Sequence, residues 1–329
     1  MKPAAASLIR LSGLGRLIAR AAPWSGVLAL TYHRIGDGRT SLFDRGLWSA
    51  DAEAFGEQIR FCKSHVDVIA PGDLPVVVNR RTGRYLLITF DDGYRDNYEV
   101  AFPILKAEGV PATFFIATGF VDTPRLPWWD EIAWMVRTSN KRSLDMKGWL
   151  DAPVPMDEPE RERAVRALLR GFKAASADAA DRYLAAVADV TGSGRCGVDG
   201  GDLWMTWKMV REMRASGMTI GGHSSAHIVL ARATAERQRE EILGCGRRLS
   251  DETGDPMHYF SYPVGGRQSF NAATRECLRE AGVRYAFSYY GGVGRFDRWD
   301  DYDVPRVPIE TDVTRNRFRS IVQLPQVFT

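Results

Sequence analysis

The chain has 329 residues, with 44 Lys+Arg against 41 Asp+Glu and a formal charge of +3, which is enough length for one large domain or two ordinary ones. Hydrophobic residues at 45% and charged residues at 26% match a folded, water-soluble protein and exclude intrinsic disorder, collagen-like repeats and a polytopic membrane protein. The near balance of charge lacks the strongly basic footprint of a nucleic-acid binder, so nucleic acid is not expected as a partner.

Residues 1–25 stand apart from the rest. Lys2, Arg10, Arg16 and Arg20 are unopposed by any acid, and Leu8, Ile9, Leu11, Leu14, Leu17 and Ile18 recur at helical spacing. The arginines interrupt each apolar stretch before the core of a secretory signal forms, and no run of about 18 apolar residues occurs in the chain. The sequence therefore predicts neither cleavage nor a membrane span. A helix of this kind either docks on the protein's own surface or lies on an anionic membrane through residues 7–20. The compartment stays open, with a cytoplasmic or peripheral-membrane location favoured. Cys62, Cys196, Cys245 and Cys277 form no C-x-x-C pair and are expected to be free thiols.

From residue 26 onward, short apolar runs alternate with helical patterns, the mark of an α/β domain with a largely parallel sheet. Residues 27–32 (VLALTY) read as a buried strand, and 51–63 as a helix with Phe55, Ile59 and Cys62 on one face. A second strand is expected at 85–90 (YLLITF), a helix at 98–108 closing on Gly109, and a third strand at 112–117 (ATFFIA). Further strands at 218–221, 259–262 and 285–288 are separated by helical stretches at 233–252 and 271–281. Half a dozen or more strand–helix units favour a barrel over an open sheet. From about 137 to 201 the strand signal disappears. Val165, Leu168, Leu169 and Phe172 fall at i, i+3, i+4 and i+7, which predicts a helical insertion with one buried stripe, an excursion from a domain spanning 26–329.

Chemistry-bearing residues concentrate at two strand ends. Asp91 and Asp92 follow the YLLITF strand directly, and Gly93 allows the bend that would turn both carboxylates toward one pocket. Asp-Asp-Gly is also ordinary capped-turn chemistry. Two of the five histidines, His223 and His227, lie four apart just after residues 218–221. On a helix or tight turn that spacing brings both imidazoles to one side, where they either meet structural carbonyl partners or share a metal. Two histidines, one carboxylate and an open position form a catalytic metal arrangement, with Asp92 as the third ligand. No Walker loop, H-E-x-x-H, G-x-S-x-G or dinucleotide fingerprint is present.

T-F-D-D-G at 89–93 and H-S-S-A-H at 223–227, in that order and each after a strand, resemble the first two motifs of the polysaccharide deacetylase family, the NodB-homology or carbohydrate esterase family 4 domain. F-S-Y-P-V-G at 260–265 resembles the third. The resemblance implies a deformed (β/α) barrel of about seven strands and a divalent metal, usually zinc, held by Asp92, His223 and His227. It makes Asp91 the general base and offers a backbone N–H of the Tyr262–Val264 turn as an oxyanion donor. Two departures stand out: Ser261 occupies the place of an arginine that orients the base, and no histidine follows His258 to act as general acid. Arg306 is the candidate replacement for the first, with a surface ion-pair role as the alternative. His33, in L-T-Y-H-R-I after the first strand, resembles a segment of exopolysaccharide deacetylases of the poly-N-acetylglucosamine type and is the candidate acid, while His65 and His258 read as structural or exposed.

Tyr94 and Tyr262 are candidates for the pocket wall, and Trp128–Trp129 for either a sugar platform or core. The expected function is metal-dependent hydrolysis of N-acetyl groups on amino sugars of a polysaccharide or oligosaccharide. The alternatives are a lipid-linked sugar or small amide as substrate, or a non-catalytic glycan-binding module stapled by a metal.

Overall fold

The computed structural model describes residues 24–157 and 160–329. The basic segment at 1–25, and with it the proposed membrane contact through 7–20, lies outside the described residues except for its last two positions. Among the described residues no helix is long and apolar enough to cross a membrane.

Seven parallel strands close into a barrel: β1 (Gly26–Tyr32), β2 (Arg84–Phe90), β3 (Thr113–Ile116), β4 (Thr219–Gly222), β5 (Tyr259–Ser261), β6 (Tyr285–Ser288) and β7 (Val304–Pro308). Each strand pairs with its neighbours in sequence, and β7 returns to β1 through Ala29 opposite Arg306. The ring is uneven. β1 and β2 match along seven residue pairs, whereas β4 meets β5 at the single pair Gly222 and Phe260. A two-residue strand, Asp67–Val68, uses the lower part of the β2 edge whose upper part pairs with β3. The expected strands are all present, within a residue or two at their ends. The sequence reading missed β7, because two prolines in V-P-R-V-P mask the strand pattern.

Strand parity sorts the side chains into two layers. Leu28, Leu30 and Tyr32 of β1, with Leu86, Ile88 and Phe90 of β2, face outward and pack with Phe55, Ile59 and Cys62 of helix α1 (Ala52–His65). Val27, Ala29, Tyr85, Leu87, Phe115 and Phe287 form the separate inner cluster. The barrel is narrow enough that a Cβ on Gly221 would stand 2.6 Å from the Phe115 ring. Continuing the inner parity upward places Thr31, Thr89, Ser261 and Arg306 above the apolar layer, all with no exposed surface. The next inward position after Thr89 is Asp91.

The insertion departs from β3 and returns to β4. It carries helices α2 (Trp128–Thr138), α3 (Arg161–Ala174) and α4 (Ala180–Thr191), plus a short antiparallel pair, Ser143–Leu144 with Val154–Pro155, that the sequence did not announce. The predicted stripe of α3 is buried, joined by Ala164. These helices share a second apolar cluster with Tyr94, Phe120 and Trp204, which come from loops at the barrel mouth. The insertion is therefore no excursion from the domain: its own cluster fuses with the barrel's upper rim. All four cysteines are free thiols.

Candidate active site

The site lies at the carboxyl ends of the strands, where parallel α/β domains place their chemistry. At the end of β2 the backbone leaves the pleat: Asp92 has φ 78° and Gly93 φ 93°, so two consecutive carboxylates both face inward. The bend therefore starts at Asp92 itself and not only at the glycine. Among the described residues, five non-glycine residues have positive φ; four of them, Asp92, Ser224, His227 and Val264, belong to this site. For the β-branched Val264 (φ 64°) that conformation is a strained one.

Asp91 is 3% exposed and gripped from below. The Arg306 guanidinium donates to both of its oxygens, Nη1 to Oδ1 and Nη2 to Oδ2, each at 2.7 Å. Nη2 also donates to Ser261 Oγ (2.6 Å), whose hydroxyl donates to Asp91 Oδ2 (3.1 Å). Nη1 reaches Thr89 Oγ1 (3.1 Å) and Nε reaches the Ser288 carbonyl (3.1 Å). Arg306 is thus neither at the surface nor in a peripheral ion pair. The small Ser261 leaves space that the guanidinium enters from β7. Burial by itself would raise the Asp91 carboxyl, but Arg306 and then His223 outweigh it and hold the group below the usual carboxylate range.

His223 and His227 sit on a turn, not a helix. The buried Glu241 of helix α5 (Ala235–Thr253) accepts from the Ser225 and Ala226 N–H groups at 3.0 and 2.7 Å, and Ser224 Oγ accepts from the His227 N–H at 3.0 Å. Asp92 Oδ1 lies 3.3 Å from Nε2 of each histidine, and the three ligand atoms fall within 4.8 Å of one another. His223 Nδ1 donates to the Ser261 carbonyl at 2.8 Å, which fixes the tautomer and turns the Nε2 lone pair toward Asp92. Asp92 Oδ1 is buried without a hydrogen-bond partner. Donor bonds of about 2.0–2.1 Å in a tetrahedral site separate ligand atoms by about 3.3 Å. Both the spacing and the orphaned oxygen fit a divalent cation. Burial would raise the Asp92 carboxyl too, and the two facing imidazoles reverse that and lower it.

The remaining candidates divide. His33 lines the cleft with its ring edge-on to Tyr289, centroids 5.5 Å apart; its N–H donates to Ser49 Oγ and its carbonyl accepts from Asn97 Nδ2. Tyr262 and Val264 line the cleft. The Tyr262 N–H is committed to the Phe287 carbonyl and its hydroxyl to the Tyr302 carbonyl, so Val264 is the turn's remaining donor, Pro263 having no N–H. Tyr94 is a correction: it lies beneath the cleft, not in its wall, with no exposed surface, stacked on Trp204 and accepting from Trp129 Nε1 at 2.7 Å. Both tryptophans line the cleft: Trp129 is buried in the core with its ring edge-on to His227, centroids 4.5 Å apart, and Trp128 is half-buried. His65 is exposed and stacked on Phe61, and the half-buried His258 lies remote from the cleft, its Nδ1 3.5 Å from the Gly282 carbonyl.

Sequence reasoning missed Tyr289 and Glu310, which face the cleft just past β6 and β7; the strand-end rule that found His33 applies equally to them. It also missed Glu162, Leu169 and Lys173 of α3. No local signal marks those, since they reach the site only when the insertion folds back over it.

A family model described as polysaccharide deacetylase matches residues 79–144 and 175–286, more than half of the chain. The protein belongs to the polysaccharide deacetylase family. The deacetylase PplD of Streptococcus pyogenes, solved with acetate, superposes with a TM-score of 0.58 at 15% identity, covering 89% of this chain and 96% of that one. IcaB from Ammonifex degensii gives 0.57 at 19% identity over 92% and 98%. At such identities the likeness establishes the barrel fold. A 31-residue stretch is 61% identical to YxkH of Bacillus subtilis (strain 168), whose name places it among polysaccharide deacetylases; the match spans 9% of this chain and 11% of that protein. The deacetylase-family match covers Asp91, Asp92, His223 and His227 but stops before Arg306.

Proposed function

We propose that the cleft hydrolyses N-acetyl groups of amino sugars in a glycan, in a metal-dependent reaction. The observation that carries this reading is Asp91, ionised and clamped by Arg306, standing beside Asp92, His223 and His227. A divalent cation held by those three residues, zinc being the usual choice for such a donor set, would polarise the acetyl carbonyl and acidify water.

The rest is the work of the chain's own residues. Asp91 accepts a proton from the water that adds to the acetyl carbon, and Arg306 with Ser261 keeps its second oxygen occupied so that one lone pair stays directed at the substrate. The Val264 N–H is available to the oxygen that gains charge. When the carbon–nitrogen bond breaks, the departing amine needs a proton. We assign that proton to His33, which lines the same cleft, leaving acetate and a free amino sugar.

The test is acetate release from N-acetylglucosamine oligomers, with added zinc and with chelator, by the native protein and by Asp91→Asn. Release that chelator stops and that falls about 10²–10⁴-fold in the variant is the expected result. Undiminished release by Asp91→Asn, or release indifferent to chelator, refutes the mechanism.

A further inference from the structure

Two chambers open on either side of Trp128. One, of about 260 Å³, is the cleft with Asp91 and Asp92; the other, of about 220 Å³, lies between the insertion and the loop after His227. Trp128 and His227 line both, so the two chambers adjoin at that pair of side chains. Acetyl hydrolysis as derived above makes no use of the second chamber.

Its walls state what it would accept. Phe120, Leu126, Phe172, Leu184, Ile228 and Val229 are apolar, and alanines at 175, 177, 180 and 226 keep the space between them open. Sugar hydroxyls need hydrogen-bonding partners, and Ser176 is the one hydroxyl side chain in this wall. Of the charged groups at the rim, Glu131 is committed to Arg195 through a bidentate pair (2.5 and 2.9 Å) and to the Cys196 N–H, and Asp181 acts on the same arginine. Arg125 and Arg232 are exposed and have no carboxylate partner among the described residues; the guanidinium of Arg125 lies over the Phe120 ring. The rim thus keeps two uncommitted guanidiniums at the mouth of an apolar chamber, which complements an anion attached to a hydrocarbon chain.

We propose that the acetylated sugar is presented on a lipid phosphate, with the hydrocarbon chain in the apolar chamber, the phosphate against Arg125 and Arg232, and the sugar beyond Trp128 in the reaction cleft. This rests on the deacetylase reading of that cleft. The bond cleaved is the same amide, with water as the only co-reactant, and the phosphate linkage is left intact.

The experiment has a binding arm and a turnover arm, both on the full chain loaded with zinc. In the first, dodecyl phosphate, neutral dodecyl glucoside and inorganic phosphate are titrated by calorimetry. Dodecyl phosphate is expected to bind at least about tenfold more tightly than either other probe, to lose about tenfold in Arg125→Gln/Arg232→Gln, and to be excluded by Leu184→Trp, which fills the chamber. In the second, the arginine pair, being exposed, is the variant expected to fold normally: its kcat/KM falls about tenfold on N-acetylglucosaminyl dodecyl phosphate and stays unchanged on a soluble N-acetylglucosamine tetramer. Dodecyl phosphate binding no better than the glucoside or inorganic phosphate overturns the proposal, as does an equal change on both substrates. Absence of acetate release from every substrate by the native protein would refute the deacetylase reading, while the binding arm still decides what the chamber accepts.

Discussion

The two halves of the cleft are built on different physics. On the barrel side, Asp91, Arg306, Ser261 and Thr89 form a dry network in which each polar atom is placed by a strand and satisfied by a neighbour. On the insertion side, Trp128, Val165 and Leu169 present an apolar surface, edged by the charged Glu162, Arg166 and Lys173 of α3 and backed by side chains of α3 and α4. A buried charge network tolerates little change, because removing one member leaves another unpaired in low dielectric. An apolar wall tolerates exchange of shape. The carboxylate and its partners thus stand where geometry is over-determined, while the wall facing them stands where packing can vary.

The largest effect should come from breaking the barrel half. Arg306→Met leaves the Asp91 carboxylate buried without its bidentate partner and is expected to lower unfolding free energy by about 3–5 kcal/mol, read as a drop in the urea midpoint. A loss below about 1 kcal/mol would mean that water replaces the guanidinium and that the network is not over-determined. The insertion half is expected to yield less. Leu168→Ala empties a fully buried position of α3 and should cost about 2–4 kcal/mol. Because this cluster includes Tyr94, Phe120 and Trp204 from the barrel mouth, unfolding should stay a single transition; a separate early transition would show that the insertion is an independent unit.

Asp130 tests the seam between the halves. It sits on α2 with no exposed surface, accepts from the Asp44 N–H at 2.9 Å, and burial pushes its carboxyl up to about 7. A carboxyl raised above its unfolded value of about 3.9 stabilises the fold below that pH, and the contribution is lost as pH rises toward 7. The protein should therefore lose about 2–4 kcal/mol between about pH 4 and 7 on this account, and Asp130→Asn should flatten that part of the pH profile. An unaltered profile would place the titration elsewhere. The smallest effect is expected on the outer surface: Arg163→Ala removes an i,i+3 pair with Glu160 whose arginine is 76% exposed, and should change stability by less than about 0.5 kcal/mol.

Much of this protein was legible in its sequence. The alternation of apolar runs with helical stripes located six of the seven barrel strands, and the inward position of Asp91 follows from counting by twos from Tyr85. The carboxylate pair and the histidine pair were both found as strand-end residues, and the structure brings them together. β7 escaped because its prolines speak against a strand in any local window, although the neighbouring strands supply the pairing that holds it. Tyr94 was misplaced by adjacency: next to a site in sequence, it turns the other way once the backbone bends at Asp92.

What the sequence alone determined is therefore periodic or contiguous: the order of strands and helices, the buried stripe of α3, and which residues stand at strand ends. Periodicity reports which face of an element meets the core, and that is a property of a few neighbouring residues. The tertiary structure decided everything that depends on closure. Arg306 reaches Asp91 only because the last strand returns to the first, and α3 becomes a wall of the cleft only because its cluster fuses with the barrel mouth. Those contacts join residues far apart in the chain, and no local pattern encodes them, since their energy exists only once the barrel is closed and water is excluded from its upper layer.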